Sequence, residues 1–156
     1  MFSGKTEELI RRIRRAQYAV PKICIGAFKP ERDIRSRFIE THYGDKIESL
    51  PLTTTCLDHF EQGEGDYIFI DEYQCAKPEW NERIQRMVHA GANVTVAGLM
   101  LDSRGEPFGP MAKIVPYADR ATILTAICSV CGDDATKTQR LVAGGDTVMI
   151  GGKDKY

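Results

Sequence analysis

Apolar positions along the chain alternate between a helical and an extended period. In residues 6–17, Leu9, Ile10 and Ile13 share one helical face, while Arg11, Arg12, Arg14 and Arg15 lie largely elsewhere. Residues 22–28 (KICIGAF) form an apolar run that predicts a strand, with Cys24 as a small buried hydrophobe. A charged loop over 30–37 and a short helix over 56–62 follow, and Gly63 and Gly65 interrupt the chain before a strand at 66–70. Pro78 suits the first turn of a helix running to about Ala90, with Trp80, Ile84, Met87 and Val88 inward and Gly91 as its stop. A strand over 93–99, a helix over 107–117 and a strand over 121–127 complete the pattern. Strands separated by helix-length segments predict βαβ units and a mostly parallel sheet covered on both faces. Ligand-binding groups then belong at the carboxyl ends of the strands.

After Ile127 the long periodic segments stop. Residues 128–156 contain Gly132, Gly144, Gly145, Gly151 and Gly152, and read as a small irregular or hairpin subdomain. The division expected is a core over 1–125 and an appendage over 126–156.

Composition narrows the class only a little. At 156 residues and a net charge of −1, the chain suits one compact domain with a real core. A pI near 6.3 makes the four-Arg helix a solvated face rather than a nucleic-acid surface. No apolar run approaches the ~20 residues that span a bilayer, and the opening residues show no basic stretch followed by an apolar one, so secretion is not expected. Five Cys, an odd number, argue against a disulfide framework. His42, His59 and His89 have no metal-ligand spacing.

Two strings carry chemistry. Ser3-Gly4-Lys5-Thr6 at a helix start is the back half of a phosphate-binding loop, whose first Gly and preceding strand would lie before Met1. Backbone N–H groups at the helix start attract phosphate, Lys5 reaches its oxygens, and Thr6 offers a hydroxyl to magnesium. Ile68-Phe69-Ile70-Asp71-Glu72 is an apolar strand ending in two carboxylates, where a magnesium ligand belongs. Either string alone is weak evidence, but together they describe a nucleoside triphosphate site. Asp33 and Arg35 in the charged loop could serve magnesium and phosphate, although on spacing alone loop decoration is the better explanation. Cys128 and Cys131 have the spacing of half a four-ligand zinc site.

Taken in order, these strings resemble a family. Residues 1–12 (MFSGKTEELIRR), Lys29-Pro30 with Asp33 and Arg35, Asp71-Glu72 with Gln74, Gly98-Leu99, Pro107-Phe108-Gly109, Cys128 with Cys131, Thr138-Gln139-Arg140, and Gly151-Gly152 to Tyr156 are similar to the zinc-containing, tetrameric (type II) thymidine kinases. The resemblance implies a RecA-like P-loop core with a zinc-binding and lasso subdomain. It implies transfer of the ATP γ-phosphoryl group to the 5′-hydroxyl of thymidine or deoxyuridine, in DNA-precursor salvage. Glu72 would be the general base. Ser3, Gly4, Lys5, Thr6, Asp33, Arg35 and Asp71 would hold ATP and Mg2+. Met1, Phe2, Leu99, Phe108, Thr138 and Tyr156 would meet the nucleoside, the last two from a lasso over 138–156. Cys128 and Cys131 would bind structural Zn2+, with a second pair of ligands past Tyr156. A cytoplasmic homotetramer inhibited by dTTP is also implied, with no nucleic-acid or membrane partner.

The chain departs from the family pattern at Ser36, Cys75, Ala76 and Ser103, where aromatics are usual, which puts base preference in question. A P-loop ATPase of another purpose and a degenerate nucleotide-binding member are the alternative readings.

Overall fold

In a computed structural model, the structure describes residues 3–19, 24–31, 36–58, 60 and 65–141. The fold is mixed α/β around a four-stranded sheet of order β4-β1-β5-β6. Its strands are β1 (Ile25–Lys29), β4 (Leu50–Pro51), β5 (Tyr67–Ile70) and β6 (Asn93–Val96), and every pairing among them is parallel. β2 (Phe38–Glu40) and β3 (Lys46–Glu48) form a separate antiparallel hairpin between β1 and β4.

Alternation along the two central strands sends side chains to opposite faces, and each face has its own core. On one side α1 (Lys5–Ala19) sets Leu9, Ile10, Ile13 and Ala16 against Ala27, Phe69 and Ile39. On the other, α2 (Thr54–Asp58), α3 (Trp80–His89) and α4 (Met111–Ile114) cover Phe28, Ile68 and Ile70 with Leu57, Trp80, Ile84, Met87, Met111 and Ile114. The polar face of α1 is laced by Glu8, whose carboxylate takes Arg11 Nε at 2.6 Å and Arg12 Nε at 2.8 Å. Arg14 pairs with Asp45. The Arg cluster therefore has local acidic partners.

Several expected boundaries move. Cys24 is exposed, not buried, because the sheet begins one residue later; its N–H donates to Asp66 Oδ1 at 3.3 Å. The short second helix starts at Thr54, two residues early. Val88 is 44% exposed, because Trp80, Ile84 and Met87 take the sheet-facing side of α3 and Val88 lies about 100° round the helix from Met87. The expected helix over 107–117 shrinks to α4 plus a 3-10 turn at Val115–Tyr117. Pro107 instead bridges Leu101 in antiparallel fashion.

The largest difference is at 121–127. Only β7 (Ala126–Ile127) is a strand, and it pairs antiparallel with β8 (Asp134–Ala135) rather than joining the main sheet. Residues 121–125 are exposed and irregular. Ala121, Thr122, Ile123 and Leu124 line a cavity of about 660 Å3 together with residues of β6, and they pair with no strand among the described residues. β6 is an edge of the described sheet, with Val94 and Val96 lining that cavity.

Candidate active site

The site lies at the carboxyl end of β5, beside the start of α1. Gly4 enters the helix with φ +75°, a left-handed conformation that costs Gly little, and its carbonyl accepts the Glu8 N–H at 2.9 Å. Lys5 and Thr6 follow in the first turn of α1. The Thr6 hydroxyl donates to Asp71 Oδ2 at 3.2 Å across 65 residues of sequence. The two strings singled out in the sequence therefore meet in space.

Asp71 is buried, and its Oδ1 accepts the backbone N–H of Glu72 at 3.0 Å. Burial and, next, the charge of Glu72 push its pKa up to about 6, against the opposing pull of Lys5 and Thr6. A buried carboxylate with too little positive charge around it, sharing a hydroxyl neighbour, suits a hard cation.

Glu72 is the sole non-Gly residue with positive φ among the described residues, at φ 50° and ψ 38°. That left-handed conformation costs roughly 1–2 kcal/mol for an L-residue. It turns the chain out of β5 into a 3-10 turn at Tyr73–Cys75. The turn is tied down: Tyr73 N–H donates to Ala97 O at 2.9 Å, and the Tyr73 hydroxyl donates to Asn81 Oδ1 at 2.7 Å. Asn81 in turn donates to Pro110 O at 3.2 Å. Burial drives the Tyr73 phenol upward, so it stays a neutral donor. Gln74 Nε2 donates to Glu72 Oε2 at 2.5 Å, and Gln74 Oε1 accepts the Leu99 N–H at 3.0 Å.

Ser3, Lys5, Leu99 and Thr138 all line the 660 Å3 cavity along β6. Phe108 does not line it. Its N–H donates to Met100 O at 2.9 Å in the bridge that follows β6. Nor do the departures Cys75, Ala76 and Ser103 line this cavity. Ala76 packs against the core, and Ser103 lies in the turn closed by Asp102 and Glu106. Ser36 has a structural part, its Oγ accepting the Phe38 N–H at 3.0 Å. Met1, Phe2, Asp33, Arg35 and Tyr156 lie outside the described residues.

Cys128 and Cys131 occupy the turn between β7 and β8, closed by Gly132 N–H to Cys128 O at 2.9 Å. Backbone N–H groups of Cys131 and Val130 aim at the Cys128 sulfur and hold its thiol below the usual range. That geometry favours thiolate, the form that binds zinc. Two thiols make half a tetrahedral set; among the described residues no group of three or more metal-ligating side chains gathers.

Sequence reasoning placed the carboxylates and the phosphate loop but assigned no part to Gln74, Asn81 or Gly109. Only the spacing of Gln74, two residues past Glu72, offered a signal.

The thymidine kinase family model matches residues 1–156. That match covers the whole chain. The strand-end carboxylates, the Lys-Thr helix start bonded to one of them and this match agree, and the chain belongs to the thymidine kinase family of ATP-using phosphotransferases.

Proposed function

We propose that the protein transfers the γ-phosphoryl group of ATP to the 5′-hydroxyl of thymidine or deoxyuridine, with Glu72 as general base. The observation that carries the reading is the Thr6–Asp71 hydrogen bond. It joins the phosphate-loop helix to the strand that bears Glu72.

In this mechanism the backbone N–H groups at the start of α1 and the Lys5 ammonium hold the β- and γ-phosphates. Thr6 and Asp71 are the residues that would hold Mg2+, which neutralises charge on the phosphate oxygens when bound. The nucleoside 5′-oxygen forms its bond to γ-phosphorus as the bond to the β–γ bridging oxygen breaks. ADP leaves with the electron pair, and the hydroxyl proton passes to the Glu72 carboxylate. Little covalent help is needed, so alignment supplies most of the catalysis.

Beyond the described site, the reading includes a RecA-like core, a zinc subdomain anchored by Cys128 and Cys131, and a lasso from Thr138 onward that closes over the base. Feedback by dTTP, a homotetramer and a cytoplasmic setting belong to the same proposal.

The test is phosphoryl transfer from labelled ATP to a panel of deoxynucleosides, using the full-length protein with Mg2+. Labelled dTMP or dUMP is the expected product. ATP hydrolysis indifferent to nucleoside would favour the ATPase alternative. Glu72→Gln should retain nucleotide binding and lose turnover by ~10²–10⁴-fold; unchanged turnover would remove Glu72 from its role.

A further inference from the structure

Gln74 follows the reactive carboxylate by two residues, and its side chain is held more tightly than its place in a short turn requires. It is 5% exposed. Both ends of its amide are engaged, Nε2 to Glu72 Oε2 at 2.5 Å and Oε1 to the Leu99 N–H at 3.0 Å. The amide has one workable orientation. Flipped, it would set oxygen against a carboxylate oxygen and NH2 against a backbone N–H.

Two glycines from two other loops make room for it. A Cβ on Gly98 would stand 2.5 Å from Gln74 Oε1, closer than real Cβ contacts come. A Cβ on Gly109 would stand 2.0 Å from the Gln74 carbonyl oxygen. Gly109 also has φ +56°, where other residues are strained. The segments after β5, after β6 and before α4 thus converge on one glutamine.

We infer that Gln74 is a positioning residue: it clamps Glu72 Oε2 and leaves Oε1, which has no partner among the described residues, to take the substrate proton. The inference rests on Glu72 being the base. Glu72 lies in a left-handed backbone conformation at the end of β5, and the bond from Gln74 is the one side-chain hydrogen bond it makes among the described residues. The Gln74 amide ties that carboxylate to Leu99, which lines the cavity along β6. Base orientation and the position of a cavity-lining backbone group are then coupled through one side chain.

The test is a double-mutant cycle in the full-length protein with Gln74→Met and Glu72→Gln, measuring kcat and the KM for ATP and for nucleoside. Gln74→Met keeps the volume and removes the donor. Its kcat should fall at least tenfold while the KM for ATP stays within about twofold, and it should add nothing in the Glu72→Gln background. Gln74→Leu, of similar size and with no donor, should show the same kcat loss. It keeps the test open if Gln74→Met fails to fold. Full kcat in either folded variant would overturn the inference. So would equal losses with and without Glu72, because Gln74 would then act on the fold. If Glu72→Gln alone keeps full turnover, the base assignment has failed first, and the cycle shows that separately.

Discussion

Two places in this chain set a pair of carboxylates or a pair of thiols at the end of a strand, and they are built very differently. At the end of β5, Asp71 and Glu72 leave a strand flanked by neighbours on both sides, with Ile68, Phe69 and Ile70 essentially inaccessible. Around the turn after β7, Cys128 and Cys131 stand on a hairpin of two-residue strands, with Ile127 and Val130 mostly exposed. The first geometry is imposed by the core, so a strained backbone and a buried carboxylate persist there. The second rests on a few backbone hydrogen bonds and has little packing to hold a geometry by itself. One site is built by the fold; the other suits a ligand that contributes its own binding energy.

The most forceful way to break the contrast is to remove the same side chain from each place. Ile70→Ala opens a cavity where Phe28, Ile68 and α3 meet and should cost ~2–5 kcal/mol of unfolding free energy. Ile127→Ala removes a 70%-exposed side chain and should stay within ~0.5 kcal/mol. Denaturant titrations of the two variants measure both. Similar costs would mean that the hairpin is packed against something beyond the described residues.

A smaller effect sharpens what burial does to the chemistry. Burial lifts the Asp71 pKa from 3.8 to about 6, so the folded chain holds a proton that the unfolded chain has released between those values. Stability should therefore fall as pH rises through that window, and above about pH 6 the charged carboxylate imposes its full cost. Asp71→Asn keeps an oxygen for the Glu72 N–H and turns an NH2 toward the Thr6 hydroxyl, which can rotate to accept it, but removes the charge. In the absence of Mg2+ and nucleotide it should be more stable than the parent by roughly 1–3 kcal/mol at pH 7.5. The gain should shrink toward zero below pH 4, while turnover is lost. Thermal melts across pH 4–8 check it. A less stable variant at pH 7.5 would mean that Lys5 and Thr6 already compensate the carboxylate.

The same contrast explains what was legible in the sequence. The apolar face of α1 and the runs of β1 and β5 are sequence-local patterns, and the structure keeps them within a residue or three. Asp71 and Glu72 were legible as two carboxylates ending an apolar run, and only the Gly-Lys-Thr helix start elsewhere in the chain gave that common pattern a meaning. Strand 121–127 was not, because a strand needs a neighbour. Ala121–Leu124 has strand composition but lines a cavity, and no strand among the described residues pairs with it. The hairpin β2–β3 was given no element at all, since each of its strands has three residues and too few alternations to register. The amide clamp of Gln74 was invisible for another reason: its partners Leu99, Gly98 and Gly109 are 24 or more residues away in sequence.

The smallest expected effect concerns the hairpin. If Cys128 and Cys131 are there for zinc, neither thiol contributes much to the metal-free fold. Cys128 is half-buried, its backbone N–H and C=O are satisfied by Asp133 and Gly132, and those bonds survive a change of side chain. Cys128→Ser should leave the unfolding midpoint of the metal-free protein within ~0.5 kcal/mol of the parent. In the full-length protein, zinc content measured by elemental analysis should drop, because a serine hydroxyl is a poor substitute for thiolate. Amide exchange at β7 and β8 should then lose the slowing that zinc confers on the parent, while exchange at β5 stays unchanged. A variant that keeps its zinc would exclude Cys128 as a ligand. One that also loosens β5 would show that the hairpin and the sheet share more stability than their separate hydrogen-bond networks suggest.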